Sequence, residues 1–327
     1  MHIACTQSTT PEIKKTAAGL RRGDLVELLP TDLALGGAAV ARLDDLVIFV
    51  EHALPGQKVL ARISKRKKNF AEAQLQEVLQ PAPDQAEPHC LHFGHCGGCR
   101  WQHLPYAQQL HYKQRQVEEA LTHIGGFSGL EVQSTLPSPE IYSYRNKMEY
   151  SFSPQRWVPR HELGVPPAEE PALYLGLHAK GFFDKIIDVE TCHLLTPVTN
   201  SILHHVRQFA IDSGRPAYHA RDHHGFWRFL VMRHARKTGE IMVNLVASEY
   251  DPALARDFSA RMQAHFPGIT SLLFSTTQSL SGVAFSEAEY RLAGKSTITE
   301  KLGNLTFEIS SNSFFQTNTL QAERLYD

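Results

Sequence analysis

The chain has 327 residues, 42% of them apolar and 20% charged. That composition excludes a mostly disordered, collagen-like or disulfide-scaffolded protein and suits two or three packed domains. Lys plus Arg number 33 against 34 Asp plus Glu, a formal net charge of -1, so any surface for nucleic acid must be local. No apolar run is long enough for a transmembrane helix and no basic-then-apolar leader opens the chain, so a cytoplasmic protein with no membrane partner is expected.

Residues 1–13 are polar and without period, and are expected to form a flexible tail. From there to residue 80 short apolar runs alternate with turn signals: Leu25–Leu28, Val47–Val50, Lys58–Ile63 and Phe70–Leu79, with Gly36-Gly37 and Pro55-Gly56 between them. The pattern predicts a small β-barrel over 14–80. Lys65, Arg66, Lys67 and Lys68 form a basic stretch between the third and fourth of these strands, next to Phe70. A solvated charged hairpin accounts for it, and on a small barrel so does a grip for a phosphate backbone.

Pro81-Ala82-Pro83 marks a boundary. Pro105 to Gly126 reads as a helix with an apolar stripe of Tyr106, Leu110, Val117, Leu121 and Ile124, stopped by Gly125-Gly126. Tyr144 to Phe152 alternates strictly, which predicts a strand with Arg145 and Lys147 on its polar face. Thr196-Pro197 and Asp251-Pro252 open two further helices. Phe226–Arg233 and Ile241–Val246 read as a hairpin turning at Gly239, followed by strands at Ile269–Ser275 and Leu305–Ile309. The region 81–310 is thus an α+β domain.

Of five cysteines, Cys90, Cys96 and Cys99 fall within ten residues, around Gly97-Gly98; Cys192 lies downstream and Cys5 in the tail. Clustered thiolates in a cytosolic chain fit a metal or cluster site better than disulfides. Cys192 is the natural fourth ligand, and the set suits either zinc or an iron–sulfur centre. His89, His92 and His95 interleave with the cysteines, so a zinc site of three cysteines and one histidine is a further option.

The segment from Cys90 through Cys96-Gly-Gly-Cys99-Arg-Trp101-Gln102-His103-Leu104 closely resembles the cluster segment of the iron–sulfur RNA uracil-5 methyltransferases, most of all those acting on 23S ribosomal RNA. Tyr144-Arg145-Asn146-Lys147-Met148-Glu149, Gly176-Leu177-His178, Asp188-Val189-Glu190-Thr191-Cys192 and Ser313-Phe314-Phe315-Gln316-Thr317-Asn318 continue the resemblance. Residues 23–79 look like the family's TRAM domain, an OB-like barrel that holds RNA.

The resemblance implies a [4Fe-4S] cluster on Cys90, Cys96, Cys99 and Cys192, and S-adenosyl-L-methionine as methyl donor. It implies a cysteine thiolate that adds to C6 of uracil so that C5 takes the methyl group, and a base that then removes the C5 proton. By position in the motif, Phe314 and Phe315 lie near the target base and Gln316 reaches the uracil or the donor. Arg145, Lys147 and the Lys65–Lys68 stretch would touch RNA, with 23S ribosomal RNA favoured, transfer RNA the alternative, and a monomer expected. The fold expected is therefore an OB-like barrel, a central α+β domain with the cluster (81–310) and, in 311–327, only the start of an α/β Rossmann-like methyltransferase domain. The nucleophile and base would lie beyond Asp327, leaving the chain inactive alone, and the helix 105–126 would pack on the methyltransferase domain. A radical methylthiotransferase fits less well, because its cysteines are spaced by three then two residues rather than five then two. A non-catalytic, zinc-held RNA-binding module is the other reading.

Overall fold

The structure is a computed structural model that describes residues 13–158 and 171–327. The tail predicted for 1–13 lies outside the described residues except for Ile13. The chain divides into two compact units, residues 1–88 with 99–137, and residues 89–98 with 138–327. Among the described residues no helix is long and apolar enough to cross a membrane.

The first unit holds β1 (Ile13–Lys14), β2 (Leu25–Leu28), β3 (Asp32–Leu33), β4 (Ala39–Leu43), β5 (Leu46–Glu51), β6 (Lys58–Arg66) and β7 (Phe70–Gln80). They make one sheet in the order β1-β2-β6-β7-β5-β4-β3, antiparallel except for β1 with β2 and β5 with β7. The period-2 alternation carries Val26, Ile48, Val50, Val59, Ala61, Ile63, Ala71 and Ala73 into one core. The basic stretch is corrected in place: Lys65 and Arg66 belong to β6, and only Lys67 and Lys68 turn, closed by the Lys67 N–H donating to the Phe70 carbonyl.

The helix expected over 105–126 runs as α1 (Tyr106–Glu119) and ends in a π-turn at Ala120–Ile124. It belongs to the barrel's unit and not to a central domain. Arg115 pairs with Asp32, and Gln116 Nε2 donates to the carbonyls of Leu33 and Ala34. No α1 residue is buried, and Val117 and Ile124 are 50% and 87% exposed.

The second unit is built on a seven-stranded sheet. Its strands are β8 (Lys147–Ser153), β9 (Tyr174–His178), β10 (Ile186–Asp188), β11 (Trp227–His234), β12 (Ile241–Ala247), β13 (Ile269–Thr276) and β14 (Ala288–Gly294), in the order β10-β9-β8-β11-β12-β13-β14. Only β12 and β13 are parallel, with α3 (Pro252–His265) in the crossover between them. The Asp251 carboxylate caps α3 by accepting from the N–H groups of Ala253 and Leu254. With α2 (Pro197–Asp212), it supplies Ile202, Leu203, Val206, Phe209 and Phe258 to the core. Trp227, fully buried, has ring neighbours in Phe152, Phe209, Phe226 and Phe274. Gly176 in the middle of β9 has no room for a side chain: a Cβ there would stand 1.8 Å from the Ile187 carbonyl oxygen of β10.

A second, smaller core of Ala235, Met242, Leu273, Ile298 and Ile309 joins the sheet to the hairpin of β15 (Ile298–Leu302) and β16 (Leu305–Ile309). The closing helix α4 (Thr319–Tyr326) is folded into this unit, with Thr319 and Ala322 buried. The expectation that 311–327 is only the start of a separate methyltransferase domain is therefore corrected, since α4 packs within this unit.

One buried and one half-buried histidine give the protein an acid-sensitive limb. Burial lowers the pKa of His103, whose Nε2 faces the His52 carbonyl, and of His234, whose Nδ1 faces Thr196 Oγ1; Arg236 lowers His234 further. Between the ordinary value near 6.5 and the lowered folded value the unfolded chain binds more protons, so this stability is present above about pH 6.5 and is lost as pH falls through the folded pKa. The melting temperature is expected to drop between about pH 7 and pH 5, and less steeply in a His103→Phe, His234→Phe variant. A melting temperature that is flat across that window would overturn this.

Candidate nucleic-acid and base-binding site

The two motifs 170 residues apart in the second unit meet at Asn146. Asn146 sits on the buried face of the Tyr144–Phe152 segment, where its backbone N–H donates to the Thr317 carbonyl at 2.8 Å. Its side-chain Nδ2 donates to the Gln316 carbonyl (2.8 Å) and to Thr319 Oγ1 (2.9 Å). Thr319 Oγ1 in turn donates to Glu300 Oε2 at 2.9 Å. Glu300 is fully buried and also accepts from the backbone N–H groups of Arg236 (2.6 Å), Lys237 (2.9 Å) and Lys301 (3.0 Å). The turn before the motif is held from the other side by Arg233 of β11, whose guanidinium donates to the carbonyls of Ser311 (3.1 Å) and Ser313. Burial pushes Arg233 down to about 10, which leaves it charged at neutral pH.

This framework presents Phe314, Phe315 and Gln316 in one cleft of about 600 Å³. Leu302, Leu305, Phe307 and Tyr326 supply most of the remaining apolar wall, and Glu323 and Asp327 its carboxylates. Phe315 is half-buried edge-on to Phe307, with centroids 5.6 Å apart, whereas Phe314 is 85% exposed. Glu323 accepts from the Gly303 N–H and pairs with Lys237, and both hold its carboxyl below the usual range. Such a cleft, apolar with a few polar groups, suits a planar ring with a hydrogen-bonding edge.

The other predicted RNA contacts are not among the residues that line it. Arg145 and Lys147 are half-buried; Arg145 Nε donates to the Lys147 carbonyl and Lys147 pairs with Glu149 at 2.5 Å. In the first unit Lys65, Lys67 and Lys68 are exposed and Arg66 half-buried, beside Phe70, which meets Phe49 edge-on at 5.9 Å. Lys65 pairs with Glu72.

Cys90, Cys96, Cys99 and Cys192 are half-buried. Cys90, Cys96 and Cys192 belong to the second unit and Cys99 to the first. Cys96 and Cys192 pack on the large core, where burial and then both thiols push the Tyr150 phenol up. The Tyr150 hydroxyl is buried without a hydrogen-bond partner. Among the described residues no group of three or more His, Cys, Asp or Glu gathers as a site for one metal ion. His92 Nε2 accepts from the Glu190 N–H, and the His89 ring meets that of His193 at a tilt of 58°, with centroids 4.1 Å apart.

Asn146, Arg233, Glu300 and Thr319 are the site residues that sequence reasoning missed. A polar Asn in register with Met148, Tyr150 and Phe152 was the available signal; nothing in the sequence marks the other three.

Residues 20–76 match the TRAM domain. The chain is 41% identical over 311 residues to an uncharacterized RNA methyltransferase of Chlorobaculum tepidum, covering 94% of this chain and 64% of that protein. An uncharacterized RNA methyltransferase of Porphyromonas gingivalis is 36% identical over 301 residues, covering 90% and 64%. The crystal structure of the Pyrococcus abyssi tRNA (uracil-54, C5)-methyltransferase in complex with S-adenosyl-L-homocysteine superposes with a TM-score of 0.65 at 25% identity, covering 91% of this chain and 63% of that one. The chain thus spans a little under two thirds of the length of these relatives. The expected fold class is corrected by these matches as by the packing of α4: the likeness runs through 94% and 91% of the chain, not through a binding module with a fragment appended. On its TRAM domain, its relatives and its fold, the chain is similar to RNA methyltransferases, a uracil-C5 methyltransferase of known structure among them.

Proposed function

We propose that the protein methylates C5 of a uridine in RNA, and that the RNA is 23S ribosomal RNA. The observation that carries this reading is the cleft of Phe314, Phe315 and Gln316 in a chain similar to RNA methyltransferases. Its volume of about 600 Å³ is of the order of a small-molecule site. Phe314 offers an exposed face to a base taken out of its stack, and Gln316 an amide that matches the hydrogen-bonding edge of uracil. Lys65, Lys67 and Lys68 supply the sequence-independent grip on phosphates.

C5 of uracil is a weak nucleophile. Addition of a thiolate to C6 forms a carbon–sulfur bond and moves the electron pair to C5, which accepts the methyl group. Loss of the C5 proton to a base then breaks the C6–sulfur bond and restores the ring. S-adenosylmethionine, when bound, supplies the methyl group and leaves as S-adenosylhomocysteine. Gln316, Glu323 and Asp327 are the cleft's polar groups toward it, and the carboxylates are of the sign that suits a sulfonium. No described residue is assigned as the thiolate or the base.

Cys90, Cys96, Cys99 and Cys192 are the ligands proposed for a [4Fe-4S] cluster. In such a cluster each thiolate binds its own iron, so the four sulfurs need not converge on one point as they must around zinc. The unpartnered Tyr150 hydroxyl beside Cys96 and Cys192 is a donor suited to sulfur. The cluster's role is to hold the protein together and handle RNA rather than redox chemistry.

Deleting the gene and measuring 5-methyluridine by mass spectrometry tests the reading. Loss from 23S ribosomal RNA, restored by the parent gene and not by Gln316→Ala, is expected. Loss from transfer RNA alone would move the substrate, and no loss from either would sink the proposal. Iron and sulfide near four per chain, lost in Cys96→Ala, are expected of the cluster, whereas zinc without sulfide would exclude it.

A further inference from the structure

A second aromatic surface in the second unit lies outside the cleft, on a turn that Ala179 joins to Cys96 by a backbone bridge. The turn joining β9 to β10 carries Phe182 and Phe183 side by side, 43% and 64% exposed. Large aromatic rings in that position have no folding reason to face water. The turn is nevertheless braced. The Phe182 N–H donates to the Ala179 carbonyl (3.0 Å), the Ala179 N–H to the Lys185 carbonyl (3.1 Å), and Gly181 takes the left-handed backbone that the turn needs. Asp184 points inward, its side chain 4% exposed, and accepts from Arg221 Nε at 2.5 Å.

Cations flank both rings. Lys185 Nζ lies 5.7 Å from the Phe182 centroid, and Arg221 Cζ lies 5.3 Å from that of Phe183. Arg221 stands on the tight 219–224 turn, closed by the His219 N–H donating to the His224 carbonyl at 2.7 Å. Lys180 belongs to the same turn as the rings. Three cations therefore accompany two carboxylates, of which Asp184 is buried and Asp222 is paired with His219 at 2.7 Å.

We infer that Phe182 and Phe183 form a stacking platform for unpaired bases of a single-stranded RNA segment, with Lys180, Lys185 and Arg221 facing its phosphates. Rings held outward by a braced turn and bordered by positive charge are what unpaired bases bind by stacking on one side and by charge on the other. An apolar protein partner would use the rings and leave the cations unmatched. This inference rests on the reading that the protein binds RNA.

The test is binding of a fluorescein-labelled 12-nucleotide oligouridine, and of an RNA duplex of the same length, to the full chain. Stacking of one base contributes about 1–3 kcal/mol, so Phe182→Ala, Phe183→Ala is expected to weaken oligouridine binding about tenfold or more. Duplex binding should be nearly unchanged, and Phe182→Trp, Phe183→Trp should keep parental affinity. Lys185→Gln is expected to lower the slope of log affinity against log salt by about 0.7. The melting temperature serves as the folding control, since both rings are exposed. Parental oligouridine affinity in the alanine variant would overturn the platform while leaving the RNA reading intact, and is what a protein-docking patch would give. Equal losses on single strand and duplex would overturn stacking. Failure of the parent to bind either RNA would overturn the platform and the RNA reading together.

Discussion

Glu300→Ala is expected to destabilise the second unit by about 3 kcal/mol or more, the largest effect of any single polar substitution in the protein. The Glu300 carboxylate is fully buried and answers four donors, the N–H groups of Arg236, Lys237 and Lys301 and the Thr319 hydroxyl. Alanine leaves all four without an acceptor in a place water reaches poorly, and each buried donor so stranded costs about 1–3 kcal/mol before relaxation. Glu300→Gln keeps one oxygen but turns an NH2 group toward donors, so it should fall between parent and alanine. Two units make a single global unfolding free energy ill-defined. Hydrogen exchange of β11, β12 and α4 is therefore the measurement. Faster exchange there, with the β2–β7 sheet unchanged, is expected; parental protection in the alanine variant would show that Glu300 holds nothing.

The consequence reaches the cleft because Glu300, Thr319 and Asn146 form one chain of hydrogen bonds that ends at the Gln316 carbonyl. Much around that chain was legible in the sequence. Period-2 alternation locates the β2, β5, β6 and β7 strands and puts Met148, Tyr150 and Phe152 on the buried face. The Asp251-Pro252 and Thr196-Pro197 pairs mark helix starts where α3 and α2 begin. The strands β14 and β15 were not legible: Ala288–Gly294 is largely exposed and shows no apolar period. Their place comes from pairing with β13 and β16, which is non-local information. Phe314, Phe315 and Gln316 were found through motif resemblance, whereas Arg233 and Glu300 look like ordinary strand residues. Burial alone distinguishes them, and burial is a property of the assembled sheet. The helix over 106–119 was placed correctly in sequence, and what its apolar stripe packs on was not legible. An amphipathic period shows that a face is apolar without saying what covers it.

Arg233→Met is the complementary case, expected to disturb the site more than the fold. Arg233 is 3% exposed and its guanidinium holds the carbonyls of Ser311 and Ser313, immediately before Phe314. Removing it loses two charge-assisted hydrogen bonds, about 1.5–3 kcal/mol each, but also removes the cost of keeping a guanidinium out of water. The net loss of stability should be only about 1–2 kcal/mol, because methionine fills the same volume with apolar atoms. The turn keeps Asn312, bonded both ways to Ser286, and the Ser311 hydroxyl, which donates to Glu289, so the loosening centres on Ser313 and Phe314. Residues 310–317 should exchange hydrogen faster, and Phe314 and Gln316 should no longer share one geometry. A displacement of about 1 Å at a reacting centre is enough for a hundredfold loss of rate, so 5-methyluridine formation in cells should fall far more than protein abundance. Both bonds leave one guanidinium nitrogen, so the shorter ammonium of Arg233→Lys should recover part of the protection. Equal losses of abundance and modification would mean that Arg233 serves the fold alone. Intact exchange protection at 310–317 in the methionine variant would mean that Asn146 is sufficient to hold the motif.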